Sequence, residues 1–133
     1  MNMRTGGCHC GAVRYEMKGE PAYKAICHCN DCRRNAGAPM VGWAMVGQSQ
    51  LSITGETKVY HSSDLGRRHF CPECGTGMFY TNAEVFPDMV DVQIATLDDP
   101  DEMVPEIQIQ VAERLDWMRG LGTLPEFQRY VAS

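Results

Sequence analysis

The chain has 133 residues, 44% of them apolar and 22% charged, with a formal net charge of −5. That length supports a hydrophobic core without disulfide staples, and the composition excludes collagenous and intrinsically disordered classes. The acidic balance excludes a nucleic-acid partner held by a basic field.

Taken in chain order, the first seven residues carry no apolar core of a secretory signal. This predicts a reducing, cytoplasmic location in which stable disulfides are rare. Val13, Tyr15 and Met17 alternate with Arg14 and Glu16, the period of a half-buried strand. Shorter strands are predicted over residues 23–26, 41–46, 51–53, 58–60, 68–70 and 78–81. Clear alternation returns at 90–94 and 107–111. Helical signals are short, one at 30–36 and one at 124–131. Turn chemistry lies at 19–21, 47–50 and 98–101. The longest charge-free run, residues 35–55, is broken by Gly37, Pro39, Gly42 and Gly47. It cannot supply the roughly 20 apolar residues of a membrane span. The whole reads as a mainly β, single domain over residues 1–133.

Seven cysteines fall in three clusters. An odd number in a reducing compartment points to metal ligands or working thiols. The outer clusters are Cys8-His9-Cys10-Gly11 and Cys71-Pro72-Glu73-Cys74-Gly75. In such knuckles the trailing glycine can take positive φ and backbone N–H groups can face the sulfurs. Four thiolates on one Zn²⁺ make a closed structural site. The middle cluster, Cys27-His28-Cys29-Asn30-Asp31-Cys32-Arg33-Arg34, offers three thiols within six residues. Three protein ligands leave the open fourth position of a catalytic zinc. Two alternatives stand beside that reading. His28, His61 or His69 could close a structural site, with His28 expected to point away; or the thiols could form a metal-free redox cluster. Asn30 or Asp31 is expected to cap the helix. Arg33 and Arg34, with Arg67 and Arg68 further on, are candidates to hold a small anionic ligand. Trp43, Met40 and Met45 are expected to pack in the core, with a substrate-cleft wall as the alternative; Trp117, Leu121, Leu124 and Phe127 are expected to pack as well, with a lid across the domain as the alternative.

The ordered motifs Gly7–Gly11, Cys27–Arg33 and Phe70–Thr76, with Pro105-Glu106-Ile107, Trp117 and Leu124-Pro125 behind them, resemble the glutathione-dependent formaldehyde-activating enzyme family, which includes centromere protein V. The resemblance covers roughly residues 5–130. It implies an Mss4-like fold of antiparallel sheets around a zinc site, with two Zn²⁺ per chain. Cys8, Cys10, Cys71 and Cys74 would hold the structural ion, and Cys27, Cys29 and Cys32 the catalytic, labile one. It further implies a carbon–sulfur lyase joining a thiol such as glutathione to formaldehyde or a related small aldehyde. An anionic thiol of that kind would need cationic anchors, for which Arg33 and Arg34, with Arg67 and Arg68, are the candidates. The proton donor would be water, His28 or His69. Family members often carry a histidine in the strand after Pro105; this chain has Ile107-Gln108-Ile109 there. A structural zinc module without catalysis and a thiol redox protein are the competing readings.

Overall fold

The computed structural model describes residues 2–131. Ten strands form two sheets: β1 Met3–Gly7, β2 Arg14–Lys18, β3 Tyr23–Cys27, β4 Val41–Gly47, β5 Leu51–Thr54, β6 Lys58–His61, β7 Arg67–Phe70, β8 Gly77–Thr81, β9 Met89–Gln93 and β10 Ile107–Ile109. The smaller sheet has the order β1-β2-β5, and the larger β10-β3-β4-β9-β8-β7-β6. The α-helix α1, Asn30–Ala36, lies between β3 and β4. All pairings are antiparallel but one: β10 runs parallel to β3. The mainly β expectation holds, and that parallel strand is an addition to it.

The core lies between the two sheets. Val13, Tyr15 and Met17 on the small-sheet side meet Ala44, Val46, Phe79, Val90 and Val92 of the large sheet. Period-two alternation puts this apolar set on one face of the large sheet. Registers tie Ala44 to Val92 and Val92 to Phe79, so these residues stand side by side on that face. Each fully buried side chain of this size contributes roughly 1.5–3 kcal/mol through area removed from water. The opposite face carries the next row, in which Tyr23 pairs with Met45, Met45 with Asp91, Asp91 with Tyr80, and Tyr80 with Arg68. That row is the floor of the site described below.

Two sequence expectations about the fold differ from the structure, and one strand is an addition to them. Residues 124–131 form no helix; a 3-10 helix covers Asp116–Thr123 instead. Gly120, Gly122 and Pro125 deny that tail a regular α-helical ladder. Trp117, Leu121, Leu124 and Phe127 are exposed rather than packed in the core. Strand β1 has no periodicity to announce it, because Thr5-Gly6-Gly7 offers no alternating side chains.

Tertiary contact explains β1. Tyr15 is buried, and its hydroxyl bonds Thr96 Oγ1 at 2.8 Å. Its ring lies over Gly6, where an added Cβ would fall 2.4 Å from the ring and 2.6 Å from the Thr96 carbonyl oxygen. Glycine is therefore required by space. Gly6→Ala should lower stability by about 2 kcal/mol through overpacking, seen as a lower urea midpoint with an unchanged slope.

Candidate functional site

The first sulfur cluster joins chain segments that are far apart in sequence. Cys8, Cys10, Cys71 and Cys74 present four sulfurs within 4.8 Å of one another. Cys8 Sγ stands 3.7 Å from Cys10 Sγ, and Cys10 Sγ 3.8 Å from Cys71 Sγ. Four thiolates at the zinc–sulfur distance of about 2.3 Å would sit about 3.8 Å apart at tetrahedral corners. The donor set fits a zinc-sized ion. Both knuckles turn on a left-handed glycine, Gly11 at φ 84° and Gly75 at φ 80°. The Gly75 N–H donates to Cys71 O at 2.8 Å, and the Val13 N–H donates to Cys8 Sγ at 3.2 Å. Thr76 links the knuckles: its hydroxyl oxygen accepts from the His9 N–H at 3.1 Å and lies 3.2 Å from Cys74 Sγ. That hydroxyl leads the causes holding the Cys74 thiol down to about 5.

The second cluster is local in sequence. Cys27 ends β3, and Cys29 and Cys32 flank the start of α1. Their three sulfurs also lie within 4.8 Å of one another. The helix cap is Cys29 itself, whose sulfur accepts from the Cys32 N–H at 3.2 Å. The expected cap at Asn30 or Asp31 is thus replaced by a thiol, which holds two of the cluster's sulfurs on one helical turn. Gly37 closes the helix in the left-handed conformation, its N–H on Arg33 O. Strand β10 braces the loop from the far end of the chain. The His28 N–H donates to Ile109 O at 3.2 Å, and Glu113 Oε1 accepts from the Asn30 N–H at 2.8 Å.

No histidine or carboxylate joins either sulfur group among the described residues. The reason is alternation. His28 follows Cys27 and points away as expected; its Nε2 meets Gln108 Oε1 at 2.8 Å. His69 follows Arg68 and faces the core side, with Nε2 2.9 Å from Thr81 Oγ1 and its ring in a T-shaped contact with Phe79. His61 is exposed near the outer edge of the large sheet, on β6.

The three sulfurs open into a cavity of about 480 Å³. Its apolar walls are Tyr23, Trp43, Tyr80 and Phe86. Its charged groups are Asp31, Glu113, Arg68 and Asp91. Arg68 is 7% exposed and donates from both Nη1 and Nη2 to Cys32 Sγ at 3.6 Å. Its guanidinium lies 4.9 Å from the centre of the Tyr80 ring, a cation–π contact. The hydrogen bond from the Cys27 thiol, then that from Cys29 and the charge of Arg68, pull the Cys32 thiol down to about 5 against its burial. The Cys27 and Cys29 thiols are pushed up in turn. Burial, then the neighbouring Cys32 charge, raises the Asp91 carboxyl to about 7, with Arg68 opposing.

Arg33 and Arg34 do not line this cavity. They line a shallower hollow beside it with Leu115 and Trp117, and Asn30 belongs to the walls of both. Arg33 Nε donates to His28 O at 3.2 Å, while Arg34 is exposed. Trp43 belongs to the cavity wall as well as the packed interior; Met45 is buried, and Met40 is 38% exposed. Nothing in the local sequence marks Asp91, because Val90-Asp91-Val92 places it on the polar face of an alternating strand and alternation does not say what that face meets. Its only signal was a carboxylate in a strand whose neighbours carry Trp43 and the cysteines.

A mainly β protein with two sulfur clusters of metal-ligating geometry is the class these features define. The chain matches the family described as "Glutathione-dependent formaldehyde-activating enzyme" over residues 3–113, and it belongs to that family. A putative glutathione-dependent formaldehyde-activating enzyme of Halomonas elongata is 27% identical over 85% of this chain and 78% of its own length. An uncharacterized lyase of Schizosaccharomyces pombe is 30% identical over 59% of each chain. The crystal structure of a Rhodobacter sphaeroides protein shares the fold, with a TM-score of 0.62 and 24% identity over 78% of this chain and 98% of that one. Among the described residues no helix is long and apolar enough to cross a membrane.

The electrostatics of Cys32 can be tested in protein treated with chelator. A thiol whose folded pKa lies below its unfolded value contributes stability that is complete above the ordinary thiol range and is lost as pH falls through about 5. Thiolate absorbance should therefore persist at pH 6, where ordinary thiols are silent. Arg68→Met should move the midpoint of that signal upward.

Proposed function

We propose that this protein is a zinc-dependent carbon–sulfur lyase that adds a thiol such as glutathione to formaldehyde or a related small aldehyde, and runs the reverse cleavage. The observation that carries this reading is the three-sulfur cluster at the wall of a 480 Å³ cavity, without a fourth ligand from the described chain. Family membership supports the same chemistry. Cys27, Cys29 and Cys32 would hold the working ion, and Cys8, Cys10, Cys71 and Cys74 a structural one. Bound at the open cluster, zinc would supply the Lewis acidity that keeps a fourth, visiting thiol deprotonated at neutral pH.

The residues of the chain do the rest. Arg68 offsets the negative charge that three thiolates leave on the site, through its two contacts to Cys32 Sγ. Trp43, Tyr80, Tyr23 and Phe86 keep bulk water from the reacting carbon and strengthen the electrostatic contacts there. The helix cap at Cys29 and the brace from Glu113 hold the cluster rigid, so the two reactants meet without a further ordering cost. The carboxylates of glutathione extend past Asn30 into the neighbouring hollow, where Arg33 and Arg34 bind them.

The test is metal analysis with glutathione titration. Wild-type protein should carry two zinc ions, one lost readily to chelator, and bind glutathione only when both are present. Cys29→Ser should carry one, lose glutathione binding and turnover at least 100-fold, and melt within a few degrees of wild type. Cys71→Ser should fail to fold, because its site ties two distant segments. A single zinc that survives chelation, with no thiol binding, would sink the proposal.

A further inference from the structure

Two polar side-chain atoms on the cavity wall are buried without a hydrogen-bond partner: Arg68 Nε and Asp91 Oδ1. Burying either group unpaired costs stability, so a native protein that keeps both at one wall has a use for them. One is a donor and the other an acceptor. The row described above fixes their relation: Arg68 is paired with Tyr80, and Tyr80 with Asp91. The two side chains therefore flank Tyr80 on the face that also carries Cys27 and Trp43. Arg68 already spends its two terminal nitrogens on Cys32 Sγ, which leaves its unpaired N–H beside the sulfur cluster. The third buried orphan, His28 Nδ1, belongs to a residue lining a different hollow.

The chemistry of this pair selects its ligand. An ammonium group has no lone pair for the arginine. A carboxylate has no proton for the aspartate. An oxygen that accepts one hydrogen bond while holding or gaining a proton satisfies both, and that describes a carbonyl becoming a hydroxyl. The geometry points to Arg68 Nε and Asp91 as the receptor of the aldehyde oxygen, with Asp91 the catalytic acid of addition and the base of cleavage.

This inference rests on the proposed thiol–aldehyde reaction. In the forward direction a sulfur lone pair forms the carbon–sulfur bond. The carbonyl π pair withdraws to oxygen, which accepts the Arg68 N–H hydrogen bond and takes the proton of the Asp91 carboxyl. Asp91, left as carboxylate, recovers through solvent the proton that the thiol released on binding. The sum is RSH plus R′CHO giving RSCH(OH)R′. Cleavage reverses each transfer. Burial of the Asp91 carboxyl favours its protonated form, the form that addition needs. His28 and His69 both point away from this wall.

The test uses metal-loaded protein with glutathione and ¹³C-formaldehyde as probes. In Asp91→Asn, glutathione affinity measured by calorimetry without aldehyde should stay within about twofold of wild type. The rate of adduct exchange, read by NMR, should fall about 100-fold or more at saturating thiol. In Asp91→Ala, added acetate should restore rate in proportion to its concentration. The wild-type-minus-variant infrared spectrum should show a protonated-carboxyl band that moves when formaldehyde joins bound glutathione. Should Asp91→Asn fold poorly, Asp91→Ala carries the test, with thiol affinity within about twofold of wild type and exchange about 100-fold slower until acetate is added. Unchanged exchange in Asp91→Asn, or a loss of thiol affinity equal to the loss of rate, would overturn the assignment. Wild-type protein that binds no glutathione at all would instead overturn the underlying reaction.

Discussion

The convergence of Cys8 and Cys10 with Cys71 and Cys74 is the constraint on which the rest depends. Sulfurs 3.7–3.8 Å apart draw together segments some sixty residues distant. Uncompensated thiolates would repel at that range, so the arrangement calls for a positive centre and for the backbone N–H groups that the glycine turns aim at the sulfurs. The first knuckle follows β1 and the second sits between β7 and β8. Their meeting therefore fixes the small sheet against the large one and sets the depth of the core between them.

With that core fixed, the large sheet has two faces of different fate. One packs against Tyr15 and Met17 and contributes stability. The other bears Tyr23, Trp43, Asp91, Tyr80 and Arg68, and meets the thiol loop rather than bulk water. Strand alternation thereby separates the part of the molecule that must be apolar from the part free to carry charge. The buried Arg68 and Asp91 are tolerable there because one pairs with Cys32 and an aromatic ring, and the other sits where desolvation drives it toward neutrality. The same separation turns His28 and His69 away from the sulfurs of the second cluster.

Much of this was legible in the residues alone. Cysteine spacing located both clusters, because ligands three apart on a turn converge whatever the fold around them. The helix over 30–36 and nine of the ten strands were visible as alternating or apolar runs between turn signals. Strand β1 was not, since Gly6 is selected by the ring of Tyr15 lying across it and not by any local preference. The parallel β10 was visible as a strand but not as the brace of the cysteine loop. That role arises from a hydrogen bond between His28 and Ile109, distant in sequence.

Residue order alone settles which sulfurs belong together locally, where the chain turns, and that the protein is mainly β. Those properties follow from short-range sterics and from the period of the side chains. Which basic residue reaches the thiols, Arg68 in place of Arg33 or Arg34, and the placing of Asp91 in a cavity depend on how the sheets assemble. Period-two alternation tells a strand's two faces apart, but it carries no information about what each face will meet. That is set by the sheet order, which joins residues 23, 45, 91, 80 and 68 into one row across five strands.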